Sequence, residues 1–128
     1  EKAVKRAGLD YWDKLDVTVY DCYRDFLERN PRAAKRLYMA STKAPRAYTE
    51  VSYEPGAYLM FGKESAGIPE ALLAEHKETA VRIPMLSDIR SLNLANSVAI
   101  VLYEALRQNQ FAHMQFTGEP RSFSWEQV

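Results

Sequence analysis

The sequence predicts an α/β domain built on a mainly parallel sheet flanked by helices. Strand-like and helix-like segments alternate along most of the chain. The run Ala57–Phe61 is apolar throughout, as expected for a strand covered on both faces of a parallel sheet. Two blocks, Leu59–Pro69 and Arg82–Ser97, each begin apolar and break into a loop rich in Gly, Pro, Ser and Asn. Each then enters a helix. Successive loops of this kind at neighbouring strand ends are where open α/β sheets hold ligands.

Taken in order, residues 1–7 read as a helix with Gly8 as its C-terminal cap. Asp16–Tyr20 reads as a strand by its β-branched content. Tyr23–Arg29 reads as a helix closed by Asn30-Pro31. Arg36–Ala40 is a strand running into the loop Ser41–Pro45. Tyr48–Tyr53 is a short extended or helical piece, and the pattern does not decide which. Glu54-Pro55-Gly56 is a turn, followed by the strand Ala57–Phe61. Pro69 suits the first turn of a helix reaching about Glu75. Ala80–Ile83 is the next strand. Asn93 to about Gln108 is a helix with little polar face, expected to be buried nearly all round, either centrally or at a subunit interface. Gly118–Val128 reads as a tail.

The length of 128 residues supports one domain with a full core. An opening on Glu1 rather than Met is expected of a fragment or a processed chain. No apolar run approaches the ~20 residues of a membrane span. The single Cys22 excludes an internal disulfide and fits a reducing, cytoplasmic setting. His76 and His113 have no ligand-like neighbours, so no metal site is expected. Net charge is zero, but residues 1–46 carry 11 Lys/Arg against 7 Asp/Glu, and residues 47–128 carry 6 against 10. The basic half suits phosphates or is simply a solvated surface.

Chemistry concentrates in the two blocks. In Phe61–Gly67, Gly62 permits close backbone approach by a ligand and Gly67 permits the turn into the next helix, with Glu64 at the ligand edge. The same pattern also fits an ordinary strand–helix loop. Ile83-Pro84-Met85 ends a strand on a proline, leaving backbone groups outside the ladder. These suit an adenine edge or mark plain strand termination. Ser91 and Asn93 suit helix N-caps. Asn96 and Ser97 continue a polar stripe that a ligand or a second subunit would satisfy. No nucleophile–base pair is present: Ser65 and Ser91 lack a nearby His. Neither a nucleotide-triphosphatase phosphate loop nor Gly-x-Gly-x-x-Gly occurs.

At these residues the chain resembles the SpoU branch of the SPOUT RNA methyltransferases. Phe61-Gly62-x-Glu64-Ser65-x-Gly67-Ile68-Pro69 is similar to that family's second motif. Ile83-Pro84-Met85 with Arg90-Ser91-Leu92-Asn93-Leu94-Ala95-Asn96-Ser97-Val98-Ala99 is similar to its third. Lys5–Trp12 resembles a segment of the small enzymes that methylate the ribose 2′-hydroxyl of the tRNA wobble nucleotide. The resemblance implies a methyltransferase domain over residues 1–110 with a C-terminal trefoil knot, an exception to the no-knot rule, and a tail over 111–128. It implies S-adenosylmethionine as cofactor, held by Ala40, Ser41, Gly62, Ile83, Pro84, Met85, Ser91 and Leu92. Glu64, Ser91 and Asn93 are implied as catalytic or supporting residues. A homodimer packed through the Asn93–Gln108 helix, where Tyr103 matches a family tyrosine, and tRNA bound by its anticodon stem-loop across both subunits are implied as well.

The family's first motif ends in an Arg assigned to activating the ribose hydroxyl, and lies upstream of the Lys5 segment. The chain is therefore expected to lack it and to be weak or inactive alone. The reaction implied is direct methyl transfer without metal, by alignment of oxygen, methyl and sulfur and removal of a proton. The alternatives are a non-catalytic cofactor- or RNA-binding remnant of that fold, and an unrelated nucleotide-binding α/β protein.

Overall fold

Helix α1 spans Tyr23–Arg29, as its composition predicts. Asp25 in its first turn and Arg29 in its last both suit the helix dipole, and they pair across one turn at 3.3 Å. Asn30 ends the helix by donating its side-chain amide to the Phe26 carbonyl at 2.9 Å and to the Tyr20 hydroxyl at 3.0 Å. In the computed structural model the described residues are 15–62, 67–86 and 92–128. The expected helix at 1–7 with its Gly8 cap and the Lys5–Trp12 segment lie outside them. The chain divides into two compact units, Glu1–Ala34 and Lys35–Val128.

Asp16–Tyr20 is not the strand its β-branched residues suggest. Strand propensity expresses packing on a pleated surface rather than a backbone preference, and Val17 and Val19 are exposed here. Only Tyr20 is engaged, edge-on to Phe26 with ring centroids 5.3 Å apart and beneath the Arg29 guanidinium.

In the second unit, β1 (Leu37–Ala40), β2 (Tyr58–Phe61) and β3 (Ala80–Val81) form a parallel sheet in the order β2-β1-β3. The apolar run Ala57–Phe61 led to the expectation of a doubly covered strand, but β2 is half-buried throughout. The buried strands are β1 and β3, where Leu37, Tyr38, Met39, Ala80 and Val81 are all inside. Burial depends on what packs over a strand, which an apolar composition alone does not set. Helix α2 is Glu70–Glu75 with Pro69 as its extended N-cap. It leads through a short 3₁₀ turn, Lys77–Thr79, into β3.

Helix α3 runs Leu94–Gln108. Asn93 caps it, its side-chain oxygen accepting from Ala95 N–H at 2.8 Å and Asn96 N–H at 3.4 Å. The expectation of burial nearly all round is corrected. One face is covered, with Val101, Glu104 and Ala105 buried and Leu94, Ser97, Val98 and Gln108 flanking them. Ala95, Asn96, Ala99, Leu102 and Tyr103 face solvent. Asn96 and Ser97 are therefore not buried polar groups needing partners. The inward face packs on Tyr38 and Tyr53, with Ala40, Tyr48, Leu59, Phe61 and Ile83 around them. Beyond α3, Gln110, Phe111 and His113 adopt positive φ and fold the chain back, so that Phe111 packs between Tyr103 and Phe116. Ser124 and Gln127 form a reciprocal cap on a final 3₁₀ turn.

Candidate functional site

The sheet register gathers the expected site. Ala40 is level with Phe61 on one side and Val81 on the other. Ser41, Gly62 and Arg82 are the next residues along, at the C-terminal ends of adjacent parallel strands, where open α/β sheets take ligands. Ser41 is fixed there: its N–H donates to the Val81 carbonyl at 2.9 Å and its hydroxyl accepts from Lys43 N–H at 3.1 Å.

Gly62 is required for a reason the sequence did not show. A Cβ on Gly62 would lie 2.4 Å from the Gly67 carbonyl carbon and 2.4 Å from the Ile68 nitrogen. The chain's own return, rather than a ligand, occupies that space. Gly67 has φ +71°, so the turn into α2 does use its left-handed freedom. Glu64 and Ser91, with Ser65 and Arg90, lie outside the described residues, as do the loop segments 63–66 and 87–91 that the expected knot involves.

Beyond Val81 the regular ladder stops. Arg82 pairs instead with the loop after β1: its N–H donates to the Arg46 carbonyl at 2.9 Å, and its carbonyl accepts from Tyr48 N–H at 2.7 Å. Past this bridge, among the described residues, no backbone hydrogen bond uses the N–H or C=O of Ile83 or Met85. Pro84 is exposed and Met85 half-buried. Among the described residues these backbone groups have no backbone partner, so the strand end leaves them outside the ladder. Leu92 is half-buried just before α3. Asn93 is exposed, and because the cap uses its side-chain oxygen, its amide nitrogen is the group left to a ligand. No group of three or more His, Cys, Asp or Glu side chains suited to a metal occurs among the described residues.

Two features were invisible in the sequence. Tyr48–Tyr53 is neither helix nor strand but an irregular loop opened by a turn, Glu50 N–H donating to the Ala47 carbonyl. It is held against α3 by polar contacts. Tyr53 N–H donates to Gln108 Oε1 at 2.9 Å, Gln108 Nε2 donates to the Val51 carbonyl at 3.0 Å, and Asn109 Nδ2 donates to the Tyr53 carbonyl at 2.9 Å. The buried Glu104 anchors this set through two 2.9 Å bonds from Arg107 and one of 2.8 Å from Gln108. The second feature is the contribution of Arg46 to a cavity beside the strand ends. The cavity is about 640 Å³ and is lined by Arg46, Glu50, Arg82, Pro84 and Met85 among others.

The network sets a pH dependence. Burial pushes the Tyr53 hydroxyl well above the ordinary tyrosine range, and the Glu104 carboxylate adds to the shift. Above about pH 10 the unfolded chain loses a proton that the folded chain keeps, so stability falls as pH rises through that window. Glu104 is held below the ordinary carboxylate value by its Arg107 hydrogen bonds, against the opposing effect of burial. Its contribution is present above the ordinary carboxylate pKa and is lost as pH falls through the lower, folded value. Melting temperature measured against pH should drop on the alkaline side above about pH 10, and Tyr53→Phe should flatten that limb. An identical alkaline slope in the variant would remove Tyr53 from the account.

The comparisons with known proteins agree with this geometry. Residues 1–103 match the SpoU rRNA Methylase family. The Escherichia coli K12 tRNA (cytidine(34)-2′-O)-methyltransferase is 48% identical over 110 residues, 84% of this chain and 68% of that protein. A solved structure concerned with the 2-OH methylation of C/U34 on tRNA superposes with a TM-score of 0.77 at 41% identity, covering 87% of this chain and 71% of that one. The SpoU methyltransferase AviRb from Streptomyces viridochromogenes, in complex with AdoMet, gives a TM-score of 0.54 at 26% identity over 70% of this chain and 36% of that one. The chain spans about two thirds of the length of the curated relatives it matches. With the parallel β2-β1-β3 sheet, the two motif blocks converging at its C-terminal edge and a match over residues 1–103, the chain belongs to the SpoU rRNA methylase family.

Proposed function

We propose that the protein transfers the methyl group of S-adenosylmethionine to the ribose 2′-hydroxyl of the wobble nucleotide, position 34, of a tRNA. The observation that carries this reading is the convergence of Ala40, Ser41, Gly62 and Ile83–Met85 at one sheet edge, in a chain 48% identical to a tRNA (cytidine(34)-2′-O)-methyltransferase. The backbone groups of Ile83 and Met85, without a backbone partner among the described residues, suit the adenine of the cofactor, with Ser41 on the neighbouring strand end and Leu92 a family-matched candidate. When bound, the cofactor supplies a methyl group on a sulfonium that is its own leaving group. The chain's task is then alignment and proton removal. Asn93 offers its amide nitrogen at the start of α3, and Glu64 and Ser91 are the family-matched candidates for the remaining roles. The two motif loops would close the family's trefoil knot around the cofactor.

The exposed apolar face of α3, with Ala95, Ala99, Leu102 and Tyr103, is more apolar than a solvated helix face needs. We assign it to a homodimer that presents the anticodon stem-loop to both subunits. Such an enzyme belongs in the cytoplasm, where the exposed Cys22 stays reduced.

Transfer of labelled methyl from S-adenosylmethionine to a tRNA, mapped to the ribose of nucleotide 34, tests the activity. Sedimentation tests the assembly: the wild type should be a dimer, and Leu102→Glu a folded monomer with transfer largely lost. Cofactor and RNA binding with no transfer would favour the non-catalytic remnant instead. A wild-type monomer with full activity would remove the dimer from the mechanism.

A further inference from the structure

We propose that Arg82 and Arg46 form an oxyanion pocket that takes a backbone phosphate of the RNA beside the nucleotide being modified; this rests on the RNA-methyltransferase reading above. The cavity of about 640 Å³ opens between the loop after β1 and the strand end at Arg82–Leu86. Arg82 lines it, and the Nε of its guanidinium is buried with no hydrogen-bond partner among the described residues. An arginine does not shed its proton to escape such a position. Buried donors are almost always paired, so this one calls for an acceptor.

Among the described residues, the neighbouring side chains do not supply one. The Glu50 carboxylate at the rim accepts from Ala47 N–H at 2.6 Å. Arg46, the second guanidinium on the wall, is fixed by donating to the carbonyls of Lys77 and Ala80, with the exposed Glu78 carboxylate 3.9 Å away. The lining thus holds two guanidiniums against one carboxylate that is already engaged.

A guanidinium fork matches the oxygens of a phosphate or a carboxylate. Two features favour the phosphate of a polynucleotide. The cavity is far larger than a lone oxyanion needs and falls in the size range of small-ligand pockets. Pro84 and Met85, the strand end proposed to hold the cofactor, also form part of its wall. A phosphate gripped by Arg82 would lie next to the bound cofactor, so the strand it belongs to is held close to the cofactor pocket. The other source of an oxyanion is the carboxylate of S-adenosylmethionine itself, and the experiment separates the two.

Arg82→Gln and Arg82→Lys are compared with wild type for binding of an anticodon stem-loop RNA across a salt series, for S-adenosylmethionine binding by calorimetry, and for thermal melting. Arg82→Gln should weaken RNA binding about tenfold and lower the slope of log affinity against log salt by about one, with cofactor affinity unchanged. Arg82→Lys keeps the charge, so it should keep the slope while losing part of the affinity. If Arg82→Gln does not fold, Arg82→Lys decides through that split between slope and affinity. Unchanged RNA affinity in a folded variant overturns the site. Weakened S-adenosylmethionine binding with intact RNA binding assigns the pocket to the cofactor carboxylate and also overturns it. Wild-type protein that binds no RNA overturns the functional reading and this site together, whereas a variant effect confined to the cofactor overturns this site alone.

Discussion

Gly62→Ala should destabilise the protein by about 3 kcal/mol, the upper end of the usual range for forcing atoms into packed space. The added Cβ has to displace the backbone of Gly67 and Ile68, which it would approach to 2.4 Å, and no rotamer change relieves a contact with main chain. Cofactor binding should be lost along with the fold at that corner, so calorimetry and thermal unfolding need to be read together. A Gly62→Ala protein that melts like wild type yet fails to bind S-adenosylmethionine would show that a ligand, rather than the returning chain, imposes the glycine. Retention of both would mean that the loop relaxes easily.

Met39→Ala should cost about 3 kcal/mol, within the usual range for truncating a buried Met. Met39 is fully buried on the central strand, between Met60 of β2 and Ala80 of β3. For a chain of this size the melting midpoint should fall on the order of 10 °C. Below the transition, cofactor affinity should stay near wild type, because Met39 stabilises β1 without being one of the proposed contact residues. A shift of only a degree or two would mean that the sheet repacks around the vacancy.

These two sites show where the sequence was sufficient and where it was not. Local signals served well when the cause was local. Asn30-Pro31 ended α1, Pro69 started α2, and Asn93 and Asn109 bracket α3. The family resemblance put Gly62, Ile83, Pro84 and Met85 in one pocket, and the sheet sets Gly62 and Arg82 at the same end, on either side of Ser41 after the central β1. The failures share a physical cause. Asp16–Tyr20 has strand composition but pairs with no strand among the described residues. The outer face of α3 is apolar without being covered within one chain. The glycine at position 62 was attributed to a ligand because the approach of residues 67 and 68 to residue 62 is set by the three-dimensional course of the loop. Arg46 gave no signal, since its role depends on Ala47 pairing with Arg82, 35 positions further along the chain.

The polar clasp between the loop at Val51–Tyr53 and the end of α3 also bears on the order of assembly during synthesis. The partners of the Val51 carbonyl and of both Tyr53 backbone groups are side chains at positions 108 and 109, 55 to 57 residues later. Contacts of such separation close late, after the loop entropy between them has been met. A nascent chain that has emerged only as far as β3 has its three strands but lacks the groups that hold this loop. Until α3 arrives, the loop between β1 and β2 is a closed sheet connection whose own polar backbone has only water for a partner at Val51 and Tyr53.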